Sequence, residues 1–103
     1  MDWEYPTKRG GQKSDRSAFV SLLSELKSKF KQHGWLLTGA FGADTDLLKS
    51  GYDVKNIAKH IDFFNLMTYD YHDLSDEKTS ANSPLRGSPS IVSEENIGKI
   101  GIP

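Results

Sequence analysis

The order of elements legible in this 103-residue chain predicts an α/β fold: parallel strands with helical crossovers, about three of the eight units of a (β/α)8 TIM barrel. Three observations carry that prediction. Phe19, Leu22, Leu23, Leu26 and Phe30 recur at the i, i+3, i+4, i+7, i+11 spacing of a one-faced helix. Two short apolar runs, WLLTGAF (35–41) and IDFFNLMTY (61–69), are of strand length and rich in β-formers. Helical segments alternate with these runs, whereas a closed barrel needs about 250 residues.

Residues 1–6, MDWEYP, read as a strand end entering a loop, because Pro6 lacks the donor a ladder requires. TKRGGQKSD (7–15) is polar and glycine-bearing, a loop by composition. The helix from about Asp15 to His33 has Ser14 or Asp15 as its cap, Lys27, Lys29 and Lys31 toward its carboxyl end, and Gly34 to close it. The run 35–41 follows as a buried strand, then short helices near Asp44–Ser50 and Val54–His60. The run 61–69 is apolar on both parities, as expected of a strand covered on both faces. Residues 72–90 are loop-like, with Pro84 and Pro89 excluding long regular structure. IGKIGIP ends the chain as a short β-like run. Residues 1–103 thus read as one incomplete barrel domain.

Thirteen Lys+Arg against fourteen Asp+Glu give a formal charge of −1, so no field draws the chain to nucleic acid or an anionic membrane. No basic cluster is interleaved with aromatics, which argues against nucleic-acid binding. Cysteine is absent, excluding disulfides and thiolate metal sites. No apolar run is long enough to span a bilayer, and no signal peptide stands at the start. His33, His60 and His72 lack the spacing of metal ligands.

Two constellations carry chemistry. Asp2 and Glu4 stand two apart, which in a strand puts both carboxyls on one face, about 6.5–7 Å apart along the chain. Two crowded acids cannot both ionise freely, so one is expected to hold its proton toward neutral pH and serve as a general acid. At the carboxyl end of a barrel strand the pair would sit where active sites are built. An acid–aromatic–acid triplet is also what an ordinary solvated terminus looks like. The second constellation is MTYDYHD (67–73). Met67, Tyr69 and Tyr71 share one parity, and Asp70 can swing toward the same cavity if the strand turns there. Phenols and an acid above a soft apolar floor suit a sugar bearing an acetamido group, although such aromatics fill cores in any fold.

Taken together, DWEYP, then MTYDYH about sixty residues later, then NSPL, make the chain resemble the family-18 glycoside hydrolases, the chitinases and their relatives. That family carries a DxxDxDxE signature, usually continuing as DWEYP, at the tip of its fourth barrel strand, and M-[ST]-Y-D on its sixth. The resemblance implies that LLTGAF is the fifth strand and KIGIP the start of the seventh. It implies Glu4 as general acid, Asp2 as the neighbouring acid that holds the substrate's N-acetyl group, Tyr69 as hydroxyl donor to the acetamido oxygen and Asp70 as a further polar contact. Met67 becomes the pocket floor and Tyr5 an aromatic lining the cleft, while Trp3, of opposite parity, packs against a helix. The implied substrates are chitin and N-acetylglucosamine oligomers, cleaved by a substrate-assisted retaining route. No metal or organic cofactor is implied, and the parent family is secreted.

Departures from the family pattern shape the expectation. The two earlier aspartates of the signature are absent, with Met1 in the hydrophobic slot before Asp2. A Gly and a Trp common after YDxH are replaced by HDLSDEK, and the helix between the sixth and seventh strands is compressed. The first three strands and the eighth are missing. These gaps fit a truncated product. Three readings follow: the catalytic quarter of a secreted chitinase, a chitinase-like lectin or growth-factor-like protein, or a chain inactive alone. Retention of Glu4 favours the enzyme over the lectin. The isolated chain is expected to be inactive.

Overall fold

A computed structural model of the chain describes residues 1–72 and 80–85. The chain forms two compact units, Met1–Met67 and Thr68–Pro103. The first contains α1 (Asp15–Gln32), β1 (Thr38–Gly42), α2 (Thr45–Gly51), α3 (Val54–Ile57) and β2 (Phe63–Met67), in that order.

α1 forms where the periodic stripe predicts. Phe19 and Leu23 are fully buried, and Val20, Leu22, Leu26 and Phe30 pack beside them. Its start differs from expectation. Ser14 occupies the capping position but its side chain makes no capping bond, and its backbone carbonyl takes the Ser17 and Ala18 amides instead. The Asp15 carboxylate turns outward to accept from the Gln12 amide at 2.8 Å and so fastens the 7–12 loop to the helix. The carboxyl end closes as predicted at Gly34, whose φ of +68° is the left-handed conformation only glycine adopts without cost. The Gly34 amide donates to the Lys31 carbonyl and the Trp35 amide to that of Phe30, a Schellman closure. The Trp35 ring meets Phe30 edge-on at 5.7 Å, the hydrophobic contact that accompanies such ends.

That closure explains why the first apolar run yields a strand only from Thr38, not from Trp35. Trp35 is spent on the helix end, and Trp35 and Leu36 stay exposed (59% and 65%). β1 pairs in parallel with β2, Thr38 opposite Phe63 through Gly42 opposite Met67. Asp2 bridges Ala40, also in parallel, and the Ala40 amide donates to the Met1 carbonyl at 2.8 Å. Three parallel segments therefore lie in the order acid-bearing tip, β1, β2. Alternation puts Gly39, Phe41, Phe64 and Leu66 on one face of this sheet and Ala40, Asn65 and Met67 on the other. Phe41 turns toward α1, its ring 6.2 Å from Phe19 and 5.1 Å from Tyr52.

α2 begins one residue later than expected because Asp44 is its cap, accepting from the Leu47 amide at 2.7 Å. α3 stops at Ile57, short of the expected His60. The Lys59 and His60 amides reach back only three residues, the tighter pattern of a fraying turn. The expectation that the second apolar run is covered on both faces is not met. Phe63, Phe64 and Leu66 are 50%, 36% and 46% exposed. Among the described residues β2 has a single strand neighbour, β1, so the residues that make it read as doubly buried lack the layers they would pack against. The expected strand start at 99–103, the HDLSDEK departure and the shortened helix lie outside the described residues, save His72.

Asp62, just before β2, is the tie between α1 and the sheet. Its carboxylate accepts from Lys27 Nζ at 2.6 Å and from the Leu37 amide at 2.8 Å. The Lys27 bond first, then the Leu37 amide, hold its pKa below the ordinary carboxylate value. A carboxyl lowered on folding contributes stability that is complete above its unfolded pKa of about 3.9 and is lost as pH falls through the lower folded value. Thermal melts between neutral and strongly acidic pH are expected to show a shallower acid decline for Asp62→Asn than for the unsubstituted chain. Parallel declines would remove Asp62 from this role.

Candidate functional site

The acid-bearing tip is held by backbone and aromatic contacts. The Met1 amino group donates to the Thr38 carbonyl at 2.8 Å, which together with the Asp2–Ala40 bridge aligns residues 1–3 with β1. Trp3 meets Phe19 edge-on at 5.5 Å, so it packs on α1 as the parity predicted. Asp2, in register with Ala40, shares the sheet face turned away from that helix. Asp2 and Glu4 are both exposed to solvent.

Beyond Glu4, whose peptide bond to Tyr5 is cis, the chain turns sharply. The Lys8 amide bonds the Tyr5 carbonyl and the Gly11 amide the Lys8 carbonyl. This tight loop folds Arg9 back, placing its guanidinium 3.5 Å from Glu4 Oε2 and 5.0 Å from the centre of the Tyr5 ring. Tyr5 in turn lies against Gly42, where a β-carbon would stand 3.3 Å from the Tyr5 ring edge as well as crowding Leu47. The missing side chain at Gly42 is what lets the Tyr5 ring sit at the carboxyl end of β1.

Electrostatically the residues of the tip act on one another. Partial burial raises the pKa of Tyr5, assisted by the charge and hydrogen bonding of Glu4 and by the charge of Asp2, with Arg9 opposing. Tyr52, at the end of α2, is pushed up to about 12, chiefly by burial, with the charges of Tyr5, Asp2 and Glu4 adding to it against a backbone bond from Gly42. Asp2, Glu4, Tyr5 and Tyr52 thus form one cluster at the carboxyl end of the parallel sheet, the end at which such folds place their chemistry. Tyr52 was not a candidate from sequence. Its only signal was a large aromatic directly after a helix-ending glycine.

Met67 is the last residue of β2, opposite Gly42 in register, and is partly buried. Tyr69 and Asp70 belong to the second unit, where both are exposed. The backbone is left-handed at Asp70, whose φ is +57°. Its amide donates to Asn82 Oδ1 at 3.2 Å, the Tyr71 amide donates to the Asn82 carbonyl at 3.3 Å, and the Ser83 hydroxyl donates to the Thr68 carbonyl. The NSPL segment therefore clasps the MTYDY turn, a service of Asn82 and Ser83 that the sequence did not disclose. Among the described residues no three His, Asp or Glu side chains gather as a metal site, and no helix is long and apolar enough to cross a membrane.

The chain is 45% identical over 85 residues to Probable chitinase 2 of Drosophila melanogaster, covering 82% of this chain and 18% of that protein. It superposes on the Group IV chitinase of Ostrinia furnacalis, solved in complex with allosamidin, with a TM-score of 0.81 and 38% identity. That match covers 91% of this chain and 26% of the other. A mutant of Group II chitinase catalytic domain 2 from the same insect, solved with penta-N-acetylchitooctaose, gives a TM-score of 0.80 at 32% identity over 90% of this chain and 26% of that one. The chain thus spans about a quarter of the solved chitinase chains it matches, and the partial (β/α)8 barrel expected from sequence is the fold found. Residues 1–100 match the model of Glycosyl hydrolases family 18, and the chain belongs to that family.

Proposed function

We propose that the chain is the central part of a secreted chitinase-type glycosidase acting on β-1,4-linked N-acetylglucosamine polymers, with Glu4 as the general acid. What supports this reading is the bridge of Asp2 to Ala40 in the parallel sheet, with the Arg9 guanidinium lying against both Glu4 and Tyr5 just beyond it. The chitinase relatives, two of them solved with allosamidin and a chito-oligosaccharide, support chitin oligomers as the ligand class.

In this mechanism Glu4 gives its proton to the glycosidic oxygen as the bond to the anomeric carbon breaks. The substrate's own acetamido oxygen forms the new bond to that carbon, giving an oxazolinium ion. Water then opens the ring from the same face as the departed sugar and surrenders a proton to the Glu4 carboxylate, so configuration is retained. Asp2 holds the acetamido group, Tyr69 donates to its oxygen, Asp70 contacts the sugar, Met67 floors the pocket and Tyr5 lines the cleft.

The 103-residue chain alone is expected to hydrolyse a chromogenic N-acetylglucosamine oligomer only at background. Its apolar Phe63, Phe64 and Leu66 lie open, and it spans about a quarter of its solved relatives. Turnover is expected when residues 1–103 replace the matching part of a full-length family-18 domain. Clear hydrolysis by the isolated chain would overturn the fragment reading. A folded graft that binds the oligomer and never cleaves it would replace the enzyme with a sugar-binding protein.

A further inference from the structure

Tyr52 is 1% exposed, yet its hydroxyl is not buried idly: it donates to the Trp3 carbonyl at 3.2 Å. Trp3 is the residue between Asp2 and Glu4. The position of that bond in the ladder is informative. Asp2 faces Ala40, and the Ala40 amide donates to the Met1 carbonyl. In a parallel ladder the same strand's amides bond at every second residue, so the next rung in this register would run from the Gly42 amide to the Trp3 carbonyl. Among the described residues no such direct bond is formed. The Trp3 carbonyl instead takes the Tyr52 hydroxyl.

We propose that Tyr52 is a positioning residue for the acid pair: its hydroxyl is a side-chain rung that takes the Trp3 carbonyl where the backbone bond from β1 is not made. The tip is thereby tied at Trp3 to the residue after α2, and that tie sets the tilt of the backbone between Asp2 and Glu4. The rung is stiff because the Tyr52 ring is wedged edge-on against Phe41 at 5.1 Å and lies 6.0 Å from Phe19. Burial also keeps its phenol protonated, and so a donor, well past neutrality. Small misplacements of catalytic groups are costly to rate, which gives such a wedge its use. This inference rests on the reading of Asp2 and Glu4 as the acid pair, and it is tested without turnover.

The experiment is NMR on the full 103-residue chain. In the unsubstituted chain the Tyr52 hydroxyl proton, bonded to the Trp3 carbonyl, is expected as a slowly exchanging resonance. In Tyr52→Phe the Phe19–Phe41 contacts persist, the Gly42 amide resonance moves, and the carboxyl carbon titration curves of both Asp2 and Glu4 are displaced. Titration curves superimposed on those of the unsubstituted chain, with only a lowered melting temperature, would overturn the positioning role. If Tyr52→Phe fails to fold, a rapidly exchanging Tyr52 hydroxyl in the unsubstituted chain would overturn the rung itself. The acid reading stands or falls separately, on turnover of a Glu4 variant, so the two failures are distinguishable.

Discussion

Glu4→Gln, placed in a full-length family-18 domain that carries residues 1–103, is expected to lower turnover of N-acetylglucosamine oligomers by about 10²–10⁴-fold, the share a general acid contributes. Oligomer affinity is expected to stay largely intact. Glutamine keeps the size and the polar head of Glu4 but has no acidic proton to give. It also leaves the cation–π contact of Arg9 with the Tyr5 ring in place, so the loop geometry around the tip is retained. The loss should therefore fall on kcat, with KM little changed, as for an interaction made only in the transition state. Initial rates with a chromogenic oligomer, set beside calorimetric binding, make the measurement. Hydrolysis within a few fold of the unsubstituted domain would remove Glu4 from the proposed role.

Phe19→Ala is expected to be the most damaging core substitution, at about 3–5 kcal/mol. Phe19 is fully buried, and its ring contacts Trp3, Phe41 and Tyr52 at 5.5, 6.2 and 6.0 Å. Its ring links α1 to the acid-bearing tip, to β1 and to the residue after α2. Against a typical domain stability of about 5–15 kcal/mol, a loss of this size leaves little. Urea denaturation followed by circular dichroism gives the value. A loss below about 1 kcal/mol, the level of an ordinary substitution, would show that the aromatic cluster is not what holds the tip on the helix.

Much of this was legible in the chain itself. The stripe from Phe19 to Phe30 gave α1, and Gly34 gave its end, because both depend on local periodicity and on a single left-handed residue. The pairing of DWEYP with MTYDYH identified the family. What was misread has two causes. Trp35 and Leu36 look like strand residues, but the Schellman closure claims Trp35 first. Asp15 looks like a cap, yet its carboxylate is drawn to the Gln12 amide by the loop that precedes it. In both a competing contact within one turn or two outweighed the residue's own preference. IDFFNLMTY looks doubly buried because its composition answers to neighbours that the described chain does not supply.

By itself the sequence determined which residues could carry acid chemistry and which faces had to be apolar, since periods of two and 3.6 are properties of the backbone. Only the tertiary structure decided that Arg9 folds onto Glu4 and Tyr5, that Asn82 clasps the turn at Asp70, and that the Tyr52 hydroxyl bonds the Trp3 carbonyl. Those contacts join residues from 4 to 49 positions apart. Local periodicity says nothing of where a chain returns in space; packing a shared core does.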